Sequence, residues 1–132
     1  TNQSGIARGI FKEADCHAVH FHIDQELAKH GVHIDQWLFS PFHPLHGEQS
    51  YRKESLLRKP APGMVLKAME KFAIAIDKSV MIGDNPSDRI QLPGLKTYLV
   101  KGDYDLSEIP PETAIVTTHA ALPGLMKAQM SP

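Results

Sequence analysis

The sequence predicts an α/β protein built on a parallel sheet. The prediction rests on three observations: strand-like apolar runs alternate with segments of helical periodicity, the second half reads strand, helix, strand, and there are no repeats or low-complexity tracts. From Glu13 to His30 the less polar Cys16, Val19, Ile23 and Leu27 recur at three- and four-residue steps, marking one stripe of a helix, and Gly31 supplies its stop. That stripe is expected to pack on the sheet. Ile34 to Phe39 reads as a strand, followed by an irregular stretch with Pro41, Pro44, Gly47 and the polar run Glu48 to Ser55. The segment 40–57 is too long for a simple connector and is expected to be a substrate loop. After Pro60 and Pro62, Val65, Ala68, Met69 and Phe72 fall at helical spacing with Lys67, Glu70 and Lys71 opposite, which predicts a crossover helix over Met64 to Phe72. Val80 to Ile82 is a short apolar strand, Pro86 to Gln91 a helical turn, and Tyr98 to Val100 and Ala114 to Val116 are further strands. Thr118 is placed to cap a final helix.

Composition narrows the function classes. A chain of 132 residues is one domain at most, able to bury about two thirds of its unfolded surface if it folds alone. Lys plus Arg number 14 against 15 Asp plus Glu, a net charge of -1 that gives no electrostatic footprint for nucleic acid or an anionic membrane. Any anion site must be local. Cys16, the one cysteine, allows neither an internal disulfide nor a thiolate metal cage, so a reducing, cytoplasmic setting is the default expectation. No run of about 18 apolar residues is present, and the N-terminus lacks the layout of a signal peptide. The chain starts with Thr rather than Met, and upstream sequence is expected to have been lost or cut away.

Three stretches carry chemistry. In SVMIGDNPSDR an apolar run meets Asp84 and Asp88 at the carboxyl end of a predicted strand, where ligands of open parallel sheets bind. Gly83 is expected to let the backbone turn closely under a ligand, and the two carboxylates can bind Mg²⁺ directly or through its retained waters. The competing reading makes Asn85-Pro86-Ser87-Asp88 a turn and helix cap. TNQSGIARG sets a hydroxyl, two amides and a glycine in succession with Arg8 close behind, a set that can hydrogen-bond phosphate oxygens. LRKPAPG adds Arg58 and Lys59 just before the crossover helix. Taken singly, Lys59 reads as a solvated charge and Thr1 as a frayed terminus; taken together they are harder to dismiss.

Thr1-Asn2-Gln3, Arg58-Lys59-Pro60 with Pro62-Gly63-Met64, and Gly83-Asp84-Asn85-Pro86-Ser87-Asp88 resemble, in order and spacing, the second, third and fourth motifs of the haloacid dehalogenase (HAD) superfamily. The similarity runs from Thr1 to about Val100, and TNQSGIARG and RKPAPGM are similar to its branch of heptose-bisphosphate and histidinol-phosphate phosphatases. The resemblance implies a HAD-like Rossmannoid parallel sheet flanked by helices. It also implies a phosphatase in which an aspartate attacks phosphorus, a second aspartate two residues later serves as acid and then base, and Mg²⁺ neutralises the oxygens. By motif match, Thr1 would bind the transferring phosphoryl group, Lys59 would stabilise charge, Asp84 would ligate Mg²⁺ and Asp88 would support the metal site. Asn2, Gln3, Arg8 and Arg58 would bind or orient substrate.

Two departures qualify this. The family's first motif, an apolar strand ending Asp-x-Asp, is not among these residues, so the chain is expected to be a single partial domain lacking its N-terminal central strand and its nucleophile. Asp103 and Asp105 in KGDYDL follow the wrong strand and read as a polar loop. The related phosphatases also carry a structural Zn²⁺ loop, and at its four ligand positions this chain has Ser40, Phe42, Ser55 and Leu57, so no zinc is expected. His43 and His46 are expected to face solvent or substrate, and the other histidines to be solvated or packed. Asn85 replaces the lysine that often follows the metal aspartate in the heptose enzymes, removing a positive charge near the phosphate. The favoured function is an Mg²⁺-dependent phosphomonoesterase acting on a small phosphorylated metabolite, a sugar phosphate such as heptose bisphosphate, with histidinol phosphate as the second substrate. A non-catalytic degenerate or split module, partnered by the missing N-terminal segment, is the alternative class. No nucleic-acid or membrane partner is expected.

Overall fold

The computed structural model describes residues 1–48 and 50–130, together with the backbone but not the side chains of residues 129 and 130. The elements in chain order are helices α1 (Glu13–Ala28) and α2 (Gly63–Lys71), strands β1 (Val80–Gly83), β2 (Lys96–Val100) and β3 (Ala114–Val116), and helix α3 (Leu122–Met130). Three single 3-10 turns, Ile76–Lys78, Pro86–Asp88 and His119–Ala121, lie between them. The chain divides into two compact units, Thr1–Ala68 and Met69–Pro132.

In the first unit α1 begins at Lys12, whose backbone N–H donates to Asp15 Oδ2 at 2.8 Å, satisfying one donor that the first turn leaves orphaned. The chain turns away from its end at Gly31, which takes φ +68, and the Gly31 and Val32 N–H groups reach back to Ala28 O and Leu27 O. The expected apolar stripe is met at Cys16, which is buried, and at Ile23 and Leu27, which are half-buried, and is corrected at Val19. Val19 is 57 % exposed, and the buried residues of the helix are Cys16 and His20, one turn apart on one face. That face meets residues 37–39: the His20 ring stacks on Trp37 with centroids 4.1 Å apart, and His17 sits edge-on to Phe39. Trp37 Nε1 then donates back to the Asp24 carboxylate of α1 at 2.9 and 3.0 Å. Aromatic stacking and one charge-assisted hydrogen bond anchor α1, where periodicity alone pointed to aliphatic residues.

The strand expected at Ile34 to Phe39 is also corrected. The segment makes no strand, and it pairs with the N-terminus through a single parallel bridge between Asn2 and Ser40, with Gln3 N donating to Ser40 O, Ser40 N to Thr1 O and the Thr1 amino group to Leu38 O at 2.8 Å. A single bridge is too short a ladder to make a strand. Segment 40–57 is irregular as expected, with a second isolated bridge between His43 and Arg52; residue 49 falls outside the described residues.

In the second unit β1, β2 and β3 form a parallel sheet in the order β1-β2-β3, with Val80 opposite Lys96 and Tyr98 opposite Ala114. Tyr98, Val100, Val116 and Leu122 form its buried core, with Val80, Ala114 and Met126 packed against it, and Leu99 is fully buried. The strands expected at Val80, Tyr98 and Ala114 are all present, and α2 covers the expected crossover helix. Thr118 takes the N-cap position of the turn leading into α3, but its side chain makes no capping bond.

Candidate active site

The carboxyl end of β1 is shaped by a contact between Gly83 and Asp88. Asp88 is 3 % exposed, and its Oδ2 accepts from the backbone N–H of Asp84 at 3.1 Å and of Asn85 at 3.0 Å. Asn85 Oδ1 accepts from Ser87 N at 2.9 Å, completing a reciprocal cap on the Pro86–Asp88 turn. A Cβ on Gly83 would collide with the Asp88 carboxylate. The glycine therefore makes room for this internal carboxylate. The two aspartates divide the work that the sequence left undecided. Asp88 is the cap and holds the backbone on which Asp84 stands, whereas the Asp84 side chain is exposed and accepts no hydrogen bond from any described residue.

An exposed, unpartnered carboxylate at a strand end suits Mg²⁺, which binds through one or two carboxylates and keeps several waters. Among the described residues no group of three or more His, Cys, Asp or Glu side chains could hold a metal ion. Asp103 and Asp105 lie in an exposed loop, and the Ser107 backbone N–H bonded to Asp105 holds that carboxyl below its ordinary range.

In the first unit the predicted residues Thr1, Asn2, Gln3, Arg58 and Lys59 form one connected set. Gln3 Nε2 donates to Thr1 Oγ1 at 3.1 Å, so Gln3 acts on the hydroxyl beside it. Asn2 directs both ends of its amide at one residue: Nδ2 donates to Lys59 O at 3.1 Å, and Oδ1 accepts from Lys59 N at 2.9 Å. The Lys59-Pro60 peptide is cis. Arg58 reaches into the loop, its guanidinium donating to Phe42 O at 3.1 Å. Arg8 is exposed in the turn after Gln3.

The loop 40–57 is closed by contacts that sequence reasoning did not find. Lys53 Nζ lies 4.4 Å from the Phe42 ring centroid, Tyr51 OH donates to Glu13 Oε1 at 3.1 Å, and His43 Nδ1 accepts from both Leu45 N and His46 N at 3.1 Å. Burial, reinforced by Arg58, His46 and Arg8, pushes the His43 imidazole below its ordinary pKa. The Tyr51–Glu13 bond joins residues 38 apart and leaves no local signal in the sequence.

The comparisons with known proteins fall in line with this arrangement. A family model described as "HAD-hyrolase-like" matches residues 56–119. A D-glycero-alpha-D-manno-heptose-1,7-bisphosphate 7-phosphatase from Burkholderia mallei is 38% identical over 122 residues, covering 90% of this chain and 64% of that protein. A D-glycero-beta-D-manno-heptose-1,7-bisphosphate 7-phosphatase from Pasteurella multocida is 36% identical over 136 residues, covering 99% of this chain and 73% of that protein. The crystal structure of D,D-heptose 1.7-bisphosphate phosphatase from B. bronchiseptica, complexed with magnesium and phosphate, superposes with a TM-score of 0.78 at 26% identity, covering 98% of this chain and 72% of that one. The chain belongs to the HAD-like hydrolase family. Its similar proteins are named as phosphatases of a heptose bisphosphate, and it spans 64% of the Burkholderia relative.

Proposed function

We propose that the protein containing this chain is an Mg²⁺-dependent phosphomonoesterase whose substrate is D-glycero-D-manno-heptose 1,7-bisphosphate. The observation that carries this reading is Asp84, an exposed and unpartnered carboxylate at the carboxyl end of β1 whose backbone is held by the buried Asp88. The names of the relatives supply the substrate. Asp84 would hold Mg²⁺, which when bound neutralises phosphate oxygens. The Lys59 ammonium would stabilise charge developing on the phosphoryl group, and the Thr1 hydroxyl, with Gln3 donating to its oxygen, would bind one phosphoryl oxygen. Asp88 would act through the Asp84 backbone, and Arg8 and Arg58 would bring positive charge to the substrate's anionic groups.

The test is phosphate release from heptose bisphosphate by the complete protein and its Asp84→Asn variant, with Mg²⁺ present. The variant should lose its Mg²⁺-dependent turnover while keeping its melting temperature, because the change lies at an exposed strand end. Undiminished turnover would overturn the assignment. A panel containing histidinol phosphate in the same assay should show heptose bisphosphate as the preferred substrate.

A further inference from the structure

We infer that Asn2 is a positioning residue for Lys59, holding the root of that side chain while making no contact with substrate. This rests on the reading above, in which Lys59 stabilises charge on the phosphoryl group. The geometry is specific. A primary amide offers one acceptor and one donor end in a fixed plane, and Asn2 aims the two at the N–H and the C=O of one residue, 57 positions away. In a hydrogen-bonded pair of an antiparallel sheet, two residues exchange both of these bonds. Here the side chain takes the place of a paired strand, fixing Lys59 where no regular ladder runs. Asn2 is in turn fixed by its own backbone, which bridges to Ser40.

The consequence follows from the chemistry of lysine. Its ammonium is a point charge on a flexible four-carbon stem, so its position depends on where the Cα–Cβ bond is anchored. Charge stabilisation acts only when the donor waits at the place where charge develops, and a shift of about 1 Å can cost about 100-fold in rate. Loss of the Asn2 amide should therefore lower kcat. A residue binding substrate in its ground state would instead raise KM when removed.

The experiment measures kcat and KM of the complete protein with heptose bisphosphate for Asn2→Ala, Asn2→Asp and Lys59→Met. Rates are taken per folded molecule, at a temperature well below each melting transition. Asn2→Asp keeps the shape and the acceptor but turns a carboxylate oxygen toward Lys59 O, so it tests the clamp even if Asn2→Ala fails to fold. Both Asn2 variants should lower kcat by about 10- to 100-fold with KM within about twofold of the parent. A raised KM with kcat preserved would show Asn2 on the substrate and overturn the clamp, as would unchanged kinetics, while Lys59→Met stayed inactive. Full activity of Lys59→Met would instead overturn the reading of Lys59, and the inference would fall with it for that separate reason.

Discussion

At Gly83 the missing side chain has a measurable consequence. The Asp88 carboxylate occupies the space a Cβ would need, and from there it accepts from two backbone N–H groups at the end of β1. Gly83→Ala should destabilise the protein by about 1–3 kcal/mol, through overpacking and the loss of one or both bonds. Urea denaturation checks this. In an Asp88→Gly background the same change should cost much less, since the colliding Cβ and carboxylate are both gone; two additive losses would show that the glycine and the aspartate are independent. The sequence alone named both residues and left their relation open, because a Gly-Asp pair five positions apart is equally compatible with a ligand between them or a carboxylate folded back onto the chain.

For α1 the anchoring face makes stability depend on pH. His20 is 6 % exposed, its Nε2 lies 3.6 Å from Cys16 Sγ, and its Nδ1 has no hydrogen-bond partner. Burial pushes its pKa below the ordinary 6.5, with His17 adding to the shift and the Asp24 carboxylate opposing it. In the unfolded chain this histidine takes up a proton as pH falls below about 6.5, while the folded protein resists doing so. The unfolded state then binds more protons, so the stability held above pH 6.5 declines as pH falls through the window down to the folded pKa. His43 shifts the same way and contributes a parallel decline. The fold's melting temperature should therefore drop between pH 7 and pH 5, and His20→Phe, which keeps a flat ring against Trp37, should reduce that drop. An identical drop in the variant would place the dependence elsewhere.

Across the whole molecule, the loop 40–57 and the site residues bear on what the chain needs from outside itself. By the resemblance, Phe42 stands at one of four positions expected to carry zinc ligands in related phosphatases, and its carbonyl and ring are engaged by Arg58 and Lys53. Ser40, at another, is fully buried, and its hydroxyl has no hydrogen-bond partner among the described residues. Protein contacts close the loop, so elemental analysis should find no stoichiometric zinc, and chelation should leave near-ultraviolet circular dichroism unchanged. One tightly held Zn²⁺ per chain would overturn this. The 132 residues by themselves should release no phosphate from heptose bisphosphate, because Thr1, Lys59 and Asp84 bind and neutralise but none of them attacks phosphorus. Equal Mg²⁺-dependent rates from this chain and from the complete protein would locate the nucleophile within it.

The sequence by itself determined the parallel α/β class, the three strands around Val80, Tyr98 and Ala114, and the helix after Pro62. Each of these is written in local apolar runs, periodicity or short spacings. It put Val19 rather than His20 on the buried face of α1 and read a strand at Ile34 to Phe39, because His20 is buried by stacking on Trp37 and the segment finds one bridge at Ser40. Only the tertiary structure decided that Asp88 caps and Asp84 stays open, that Gly83 yields space to a carboxylate, and that Asn2 holds Lys59. The reason is physical: a polar side chain's role is set by which donor or acceptor folding brings within about 3 Å of it, and partners 57 residues apart leave no periodic trace in the chain.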